Sequence, residues 1–272
     1  MQNILNKTLK KYVYYNDNNI LILNGDINEV LNKLPENIID LIVTSPPYNV
    51  GIEYADWKDT LSLEEYFNFV KDFLSNFKKI LKEDGRFAIN IPYDTNMKHL
   101  GKQTRVSLIC EYYNLLKEVG LNYQSLIDLE EKTPHRVKYT AWGSWLSASS
   151  PYQYNAKEGL LIGYKKQWKK KNKGISTINK ELFMECASGS WKYNAETKGL
   201  TKANFSLDIP YKAIQSLTYK DNLVLDPFMG SGTTGIACID TDRKFIGIEI
   251  SKKYCEIAKN RILKYIKNRN KC

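Results

Sequence analysis

A doubly wound, circularly permuted α/β sheet is the fold this sequence predicts, and three observations predict it. Short apolar runs of the kind buried in a parallel sheet alternate with stretches of helical periodicity. Two turns rich in Gly and Pro, Thr44–Asn49 and Asp226–Gly235, each close such a run where a parallel sheet places its active-site edge. The chain beyond Glu249 has room for one helix and no further strand, so the rest of the sheet has to come from the N-terminal side.

The elements follow in order. Residues 1–19 are rich in Lys, Asn and Tyr without periodicity and read as an arm or loop. Ile20–Leu23 is a short strand ending in Asn24-Gly25-Asp26. Ile38–Val43 is a second strand, nearly all apolar, as expected when both faces are covered. Pro46 and Pro47 end it because proline cannot donate to a ladder. Ser62 with Glu65 forms a capping box, and Leu63, Tyr66, Phe67, Val70, Phe73, Leu74, Phe77 and Leu81 recur behind it at helical spacing. Asp84-Gly85 stops that helix and Phe87–Ile91 follows as a strand. A helix from about Thr104 to Val119 is closed by Gly120, and strands follow near Tyr123–Glu130 and Gly159–Lys165. The rhythm breaks between Lys165 and Asn204, which read as an inserted, loop-rich, basic subdomain. It resumes with Leu223–Leu225, a glycine-rich turn, a helix to about Ile239, a strand Phe245–Ile250 and a last helix from Ser251. The expected organisation is 1–164, an insert 165–204, and 205–272.

Composition narrows the function. The 272 residues carry a net charge of +10, and the pI near 9.1 makes a polyanionic partner plausible. A hydrophobic content of 43% with no apolar run of spanning length predicts a soluble globular protein rather than a membrane or disordered one. Met1-Gln2-Asn3 opens neither a signal nor a transit peptide. Five cysteines without a Cys-x-x-Cys pair argue against a disulfide framework or a zinc cluster and fit a reducing cytosol. Two histidines argue against a His-rich metal site, and no metal is expected.

Asp226-Pro227-Phe228-Met229-Gly230-Ser231-Gly232-Thr233-Thr234-Gly235 lies between a strand and a helix, where glycines let a backbone approach an adenosine ligand. Glu249, about twenty residues beyond Gly230 and ending the next strand, is placed to accept ribose hydroxyls. A phosphate-binding P-loop needs Lys after its last Gly, and Ile236 stands there. A nicotinamide dehydrogenase satisfies the G-x-G-x-x-G spacing but not the permuted strand order. Asp226 suits a cationic ligand group, such as a methionine amine, better than a pyrophosphate it would repel.

Thr44-Ser45-Pro46-Pro47-Tyr48-Asn49 presents a hydroxyl, a proline carbonyl and an aromatic ring on a stiff loop. An exocyclic amine conjugated to a base is a poor nucleophile. Two acceptors, Ser45 Oγ and the Pro46 carbonyl, bonding its two N–H groups would draw the nitrogen toward a pyramidal shape and free its lone pair. The Tyr48 ring would stack on the base about 3–3.5 Å from a methyl donor.

Together the two motifs resemble those of the amino-methylating DNA methyltransferases that use S-adenosylmethionine. The order catalytic motif, basic insert, cofactor motif is similar to that of the β class, a permutation of the Rossmann-like methyltransferase sheet, and the resemblance spans residues 20–270. It implies a catalytic set of Ser45, Pro46, Pro47 and Tyr48. It implies a cofactor set of Asp26, Phe205, Asp226, Phe228, Gly230, Ser231, Gly232, Thr233, Thr234 and Glu249, although Lys202–Ser206 departs from the family's pattern around Phe205. In this family Ser-Pro-Pro-Tyr accompanies methylation of cytosine N4, whereas Asp- or Asn-Pro-Pro-Tyr accompanies adenine N6, which stays the alternative. The resemblance further implies double-stranded DNA as substrate, a cytoplasmic location, no membrane, and the modification role beside a separate restriction endonuclease. The insert is the expected recognition region, with Lys165, Lys166, Lys169, Lys170, Lys171 and Lys173 on phosphates. Trp142 and Trp145 either line the pocket of the flipped base or pack structurally, and His135 and Arg136 either touch substrate or form a turn. A basic DNA-binding module without chemistry is the remaining reading.

Overall fold

The computed structural model describes residues 4, 7–53, 56–101, 104–132, 143–151, 157–194 and 205–269. In chain order the elements are β1 (Val13–Asn16), β2 (Ile20–Asn24), α1 (Ile27–Leu31), β3 (Ile39–Thr44), α2 (Leu63–Ile80), β4 (Leu81–Pro92), β5 (Asp94–Asn96), β6 (Arg105–Ser107), α3 (Leu108–Val119), β7 (Asn122–Glu131) and β8 (Glu158–Tyr164). After these come α4 (Lys180–Cys186), β9 (Ser190–Tyr193), α5 (Asp208–Leu217), β10 (Leu223–Asp226), α6 (Thr233–Asp240), β11 (Lys244–Glu249) and α7 (Lys252–Arg269).

One sheet runs in the order β1-β2-β11-β10-β3-β4-β8-β7-β9, and β5 pairs with β6 in a separate ribbon. From β2 to β4 the five strands are parallel. The C-terminal β10 therefore lies beside the N-terminal β3, with Val224 opposite Leu41 and Leu225 opposite Ile42. This juxtaposition is the permuted strand order expected from the sequence. It also makes a switch point, since connections leave β3 and β10 in opposite directions and open a crevice at their carboxyl ends.

The helices cover both faces. On one face α1, α2 and α3 bury Val30, Tyr66, Phe73, Phe77, Leu108 and Tyr112 against Leu21, Ile42, Phe87 and Ile89. On the other, α5, α6 and α7 bury Ile214, Ala237 and Ile262 against Leu41, Val43, Val224 and Phe245. Alternate residues of β3 thus enter opposite layers, which explains its nearly all-apolar run. The α2 cap forms as its sequence requires: Ser62 Oγ accepts from the Glu65 N–H, and Glu65 Oε2 accepts from the Ser62 N–H. Each large α2 side chain buried is worth roughly 1.5–3 kcal/mol, far more than the cap's ~1 kcal/mol.

Four expectations change. The N-terminal arm includes β1, an edge strand antiparallel to β2. The sheet is not wholly parallel, because β8 runs antiparallel to both β4 and β7. The helix expected from Thr104 begins at Leu108, since residues 105–107 pair with β5. Among the described residues of 165–204 there is no separate subdomain: β9 extends the main sheet parallel to β7, and Trp191 is buried in the second core layer. Among the described residues no helix is long and apolar enough to cross a membrane.

Candidate active site

Thr44 ends β3 and Asp226 ends β10, and the two side chains meet. Thr44 Oγ1 donates to Asp226 Oδ1 at 2.7 Å, Thr234 Oγ1 donates to Oδ2 at 2.6 Å, and the Phe228 N–H donates to Oδ1 at 3.1 Å. Asp226 is buried and absent from the cleft wall. Burial pushes its carboxyl up to about 6 against the opposing pull of those donors. This corrects the expectation that Asp226 receives a ligand's amine: it ties the strand of the Ser-Pro-Pro-Tyr loop to the glycine-rich turn.

The turn itself needs its glycines. Gly230 and Gly232 have φ of +52° and +81°, and a Cβ on Gly232 would lie 2.9 Å from the Ala258 Cβ. Glu249 cinches the turn to the end of β11, Oε2 accepting from the Gly230 N–H and Oε1 from the Ser251 N–H, both at 2.9 Å. Its carboxyl is raised by burial. Ser231 accepts from Arg261 Nη1 through both its carbonyl and its hydroxyl, with Thr233 Oγ1 3.3 Å from the same nitrogen. Ser231, Gly232, Thr233 and Thr234 therefore shape the turn and do not line the cleft.

Beside β3 the Ser45–Tyr48 loop is held from outside. Tyr66 of α2 donates its hydroxyl to the Pro47 carbonyl at 3.1 Å. Beyond it, buried Asp59 accepts from four successive N–H groups, those of Asn49, Val50, Gly51 and Ile52, at 2.9 to 3.0 Å. The Asn49 side chain clasps the Leu61 backbone in both directions. These bonds fold the chain back so that Asp56 and Trp57 reach the cleft, with Trp57 and Phe69 rings 4.6 Å apart. Sequence reasoning missed Asp59, Asp56 and Trp57. A clue to Asp59 was an acidic residue shortly after a turn whose N–H groups had no strand to join.

The resulting cleft, about 820 Å³ and open to solvent, is lined by Ser45 and Pro47 on one side and by Gly25, Asp26, Phe228, Gly230 and Glu249 on the other. Asp26 also caps α1, its Oδ1 accepting from the N–H groups of Asn28 and Glu29. The structure thus brings together Ser45, Pro47, Asp26, Phe228, Gly230 and Glu249, residues from both ends of the chain. Pro46 and Tyr48 stand behind Ser45 without lining this cleft. Phe205 lies half-buried against the second core layer, away from it. Trp142, His135 and Arg136 lie outside the described residues, and Trp145 is 66% exposed on the turn 143–151.

The lysines are elsewhere. Tyr164 pairs with Arg86 at the amino edge of β4, whereas Glu158 pairs with Pro92 at its carboxyl edge, on the order of 20 Å away at ~3.3 Å per residue. Lys166 and Lys171 pair there with Glu83, Lys170 with Asp84, and Lys165 Nζ donates to the Leu81 carbonyl. Lys169 and Lys173 are exposed on the same segment. The expectation that this run borders the cleft is therefore corrected, because β8 carries it to the opposite edge of the sheet.

The cleft also tests which ligand fits. Asp26, Asp56 and Glu249 are carboxylates on its wall, and the Gly230 N–H that would greet a phosphate already bonds Glu249. That combination suits a ligand with a positive charge and sugar hydroxyls, set against the apolar Phe228 and Ile250, and disfavours a pyrophosphate.

Known proteins agree with this geometry. The DNA methylase family of N6- and N4-amino methylases matches residues 39–260. The Type II methyltransferase M.MjaVI of Methanocaldococcus jannaschii is 41% identical over 181 residues, 66% of this chain and 89% of that protein. M.ScaI of Streptomyces caespitosus is 27% identical across 92% of this chain and 83% of its own length. Among solved structures, PvuII DNA methyltransferase (cytosine-N4-specific) shares the fold with a TM-score of 0.71 at 22% identity, over 93% of each chain. The Thermus thermophilus protein TTHA0409, crystallised with S-adenosyl-L-methionine, does so with a TM-score of 0.71 at 23% identity, over 90% of this chain and 93% of that one. A match to most of the chain, with both motifs on one cleft, places this protein in the family of S-adenosylmethionine-dependent DNA methylases that act on base amines.

Proposed function

We propose that this protein methylates the exocyclic N4 amine of a flipped cytosine in double-stranded DNA, as the modification enzyme of a type II restriction–modification pair. The observation that carries the reading is Ser45 at the wall shared with Phe228, Gly230 and Glu249, a hydroxyl acceptor at the position where an amine must be held. Asp26 and Glu249 would hold S-adenosylmethionine by its hydroxyls and positive charge, with Phe228 against its apolar surface. Bound there, that cofactor supplies an electrophilic methyl group. Ser45 Oγ and the Pro46 carbonyl would accept the two amine N–H groups and so expose the nitrogen lone pair, while the Tyr48 ring stacks on the base. The Pro47 carbonyl already accepts from the Tyr66 hydroxyl. The amine proton would pass to water, because among the described residues no carboxylate is bonded to Ser45.

The test is methyl transfer from labelled S-adenosylmethionine to plasmid DNA, followed by digestion to nucleosides and mass analysis. N4-methylcytosine is expected. N6-methyladenine as the product overturns the base assignment, and no methylated nucleoside overturns the reading itself.

A further inference from the structure

Ser45 Oγ lies 2.7 Å from the Tyr48 hydroxyl, and that hydroxyl lies 3.1 Å from the backbone carbonyl oxygen of Asn90. A carbonyl oxygen brings no proton to a hydrogen bond, so the single Tyr48 proton must occupy the contact with Asn90. The contact between the two hydroxyls then has to be filled by the proton of Ser45. Neither Pro46 nor Pro47 has an N–H, so neither can direct a backbone donor at Ser45 Oγ. Asn90 sits within β4, opposite Leu160 of β8, and its side-chain amide is anchored on Glu158 Oε2 at 2.9 Å.

We propose that the Tyr48 hydroxyl is a positioning group for methyl transfer: by accepting the hydrogen bond of the Ser45 hydroxyl and donating its own to the Asn90 carbonyl, it fixes Ser45 as an acceptor facing the amine. Free to rotate, Ser45 would present its proton to the amine in part of its population, opposing the N–H groups it must receive. The chain of bonds ends on a peptide carbonyl, which takes up no proton at neutral pH. It therefore orients Ser45 without making it a base. The proposal rests on the amino-methylation reading and adds to the stacking role a separate task for the hydroxyl.

Tyr48→Phe keeps the ring and removes the hydroxyl. With wild-type protein active on DNA, Tyr48→Phe is expected to lower kcat about tenfold, while KM for DNA and Kd for S-adenosylmethionine stay within about twofold. Ser45→Ala is expected to lower kcat by about 100-fold, in the range of a lost acceptor or donor at a reacting group. The double variant should be no slower than Ser45→Ala alone, since the tyrosine hydroxyl acts only through the serine. Wild-type kcat in Tyr48→Phe overturns the proposal, as does a multiplicative loss in the double variant, which marks a structural effect independent of Ser45. A wild-type protein that methylates neither base amine fails at the earlier step and overturns the functional reading instead.

Discussion

At the amino edge of the central sheet Lys166 and Lys171 reach Glu83, Lys170 reaches Asp84, and Lys82 reaches Asp40, whose second oxygen accepts from the Leu223 N–H. At the carboxyl edge Asp26, Asp56 and Glu249 face one cleft, and among the described residues no Lys or Arg lines it. The two edges differ in what the charges are for. Opposite charges at the amino edge neutralise one another and fasten the segment after β8 to the start of β4, helped by Arg86, which donates to the carbonyls of Trp168 and Leu217 and lies against the Trp168 ring. Like charges at the carboxyl edge are kept apart on separate elements, Asp26 and Glu249 with part of their hydrogen-bonding capacity spent on backbone, leaving a negative pocket suited to a cation. A lysine run read from sequence cannot reveal which edge it will reach, because each added strand reverses the answer.

Three experiments press on this contrast, beginning with the largest effect. Asp226 is the polar bridge of the carboxyl edge that does not face the cleft. Its folded-state carboxyl near 6 exceeds the unfolded value, so the native state keeps a proton that the unfolded chain has released. The stability from this group is present at pH 4 and falls as pH rises to about 6, by as much as ~3 kcal/mol. Asp226→Asn removes that dependence. Urea unfolding should show the variant gaining on wild type by that amount between pH 4 and pH 7, with Kd for S-adenosylmethionine within about threefold. A constant difference across pH, or a selective loss of cofactor affinity, would return Asp226 to a ligand-binding role.

A middle-sized effect is expected where DNA must approach. The ribbon β5–β6 rises from the carboxyl end of β4 with Lys98 and Arg105 exposed, and His99 donates from Nε2 to the Leu61 carbonyl at 2.9 Å, clamping the ribbon to the loop that carries Trp57. Replacing Lys98 and Arg105 with Ala should weaken DNA binding roughly tenfold at low salt and reduce the slope of log affinity against log salt by up to ~2. An unchanged slope would exclude them as phosphate contacts.

The smallest effect is expected from Lys166 and Lys171. Both are well exposed, and pairs of that kind are worth about 0–1 kcal/mol. Replacing both with Ala should leave DNA affinity within about twofold and stability within that range. A tenfold loss of DNA affinity would erase the distinction between the edges.

Much of the site was legible in the residues. Ser45, Pro47, Gly230 and Glu249 follow from turn chemistry at strand ends, Asp26 and Phe228 from the family resemblance, and all reach the cleft. What sequence reasoning misplaced were residues whose polar groups are satisfied inside the protein. Asp226 is consumed by Thr44 and Thr234, Ser231 by Arg261, and Lys166, Lys170 and Lys171 by Glu83 and Asp84. Nothing in a linear pattern distinguishes a carboxylate awaiting a ligand from one whose partners arrive from distant residues. Asp59 escaped notice for the same reason, since its four donors converge only once the loop has folded back.

Local rules settle what depends on neighbours a few residues apart: the period of the strands and helices, the α2 cap, the αL glycine that closes α3, and the stiffness of a loop with two prolines. These were written into this chain before it folded. Tertiary structure alone decided that β3 and β10 lie side by side, that β8 turns back and carries its lysines to the amino edge, and that Tyr48 reaches Asn90 behind Ser45. Pairing, burial and hydrogen-bond satisfaction join residues from about forty to more than a hundred and eighty positions apart, and their energies exist only between groups that folding has brought within a few ångströms.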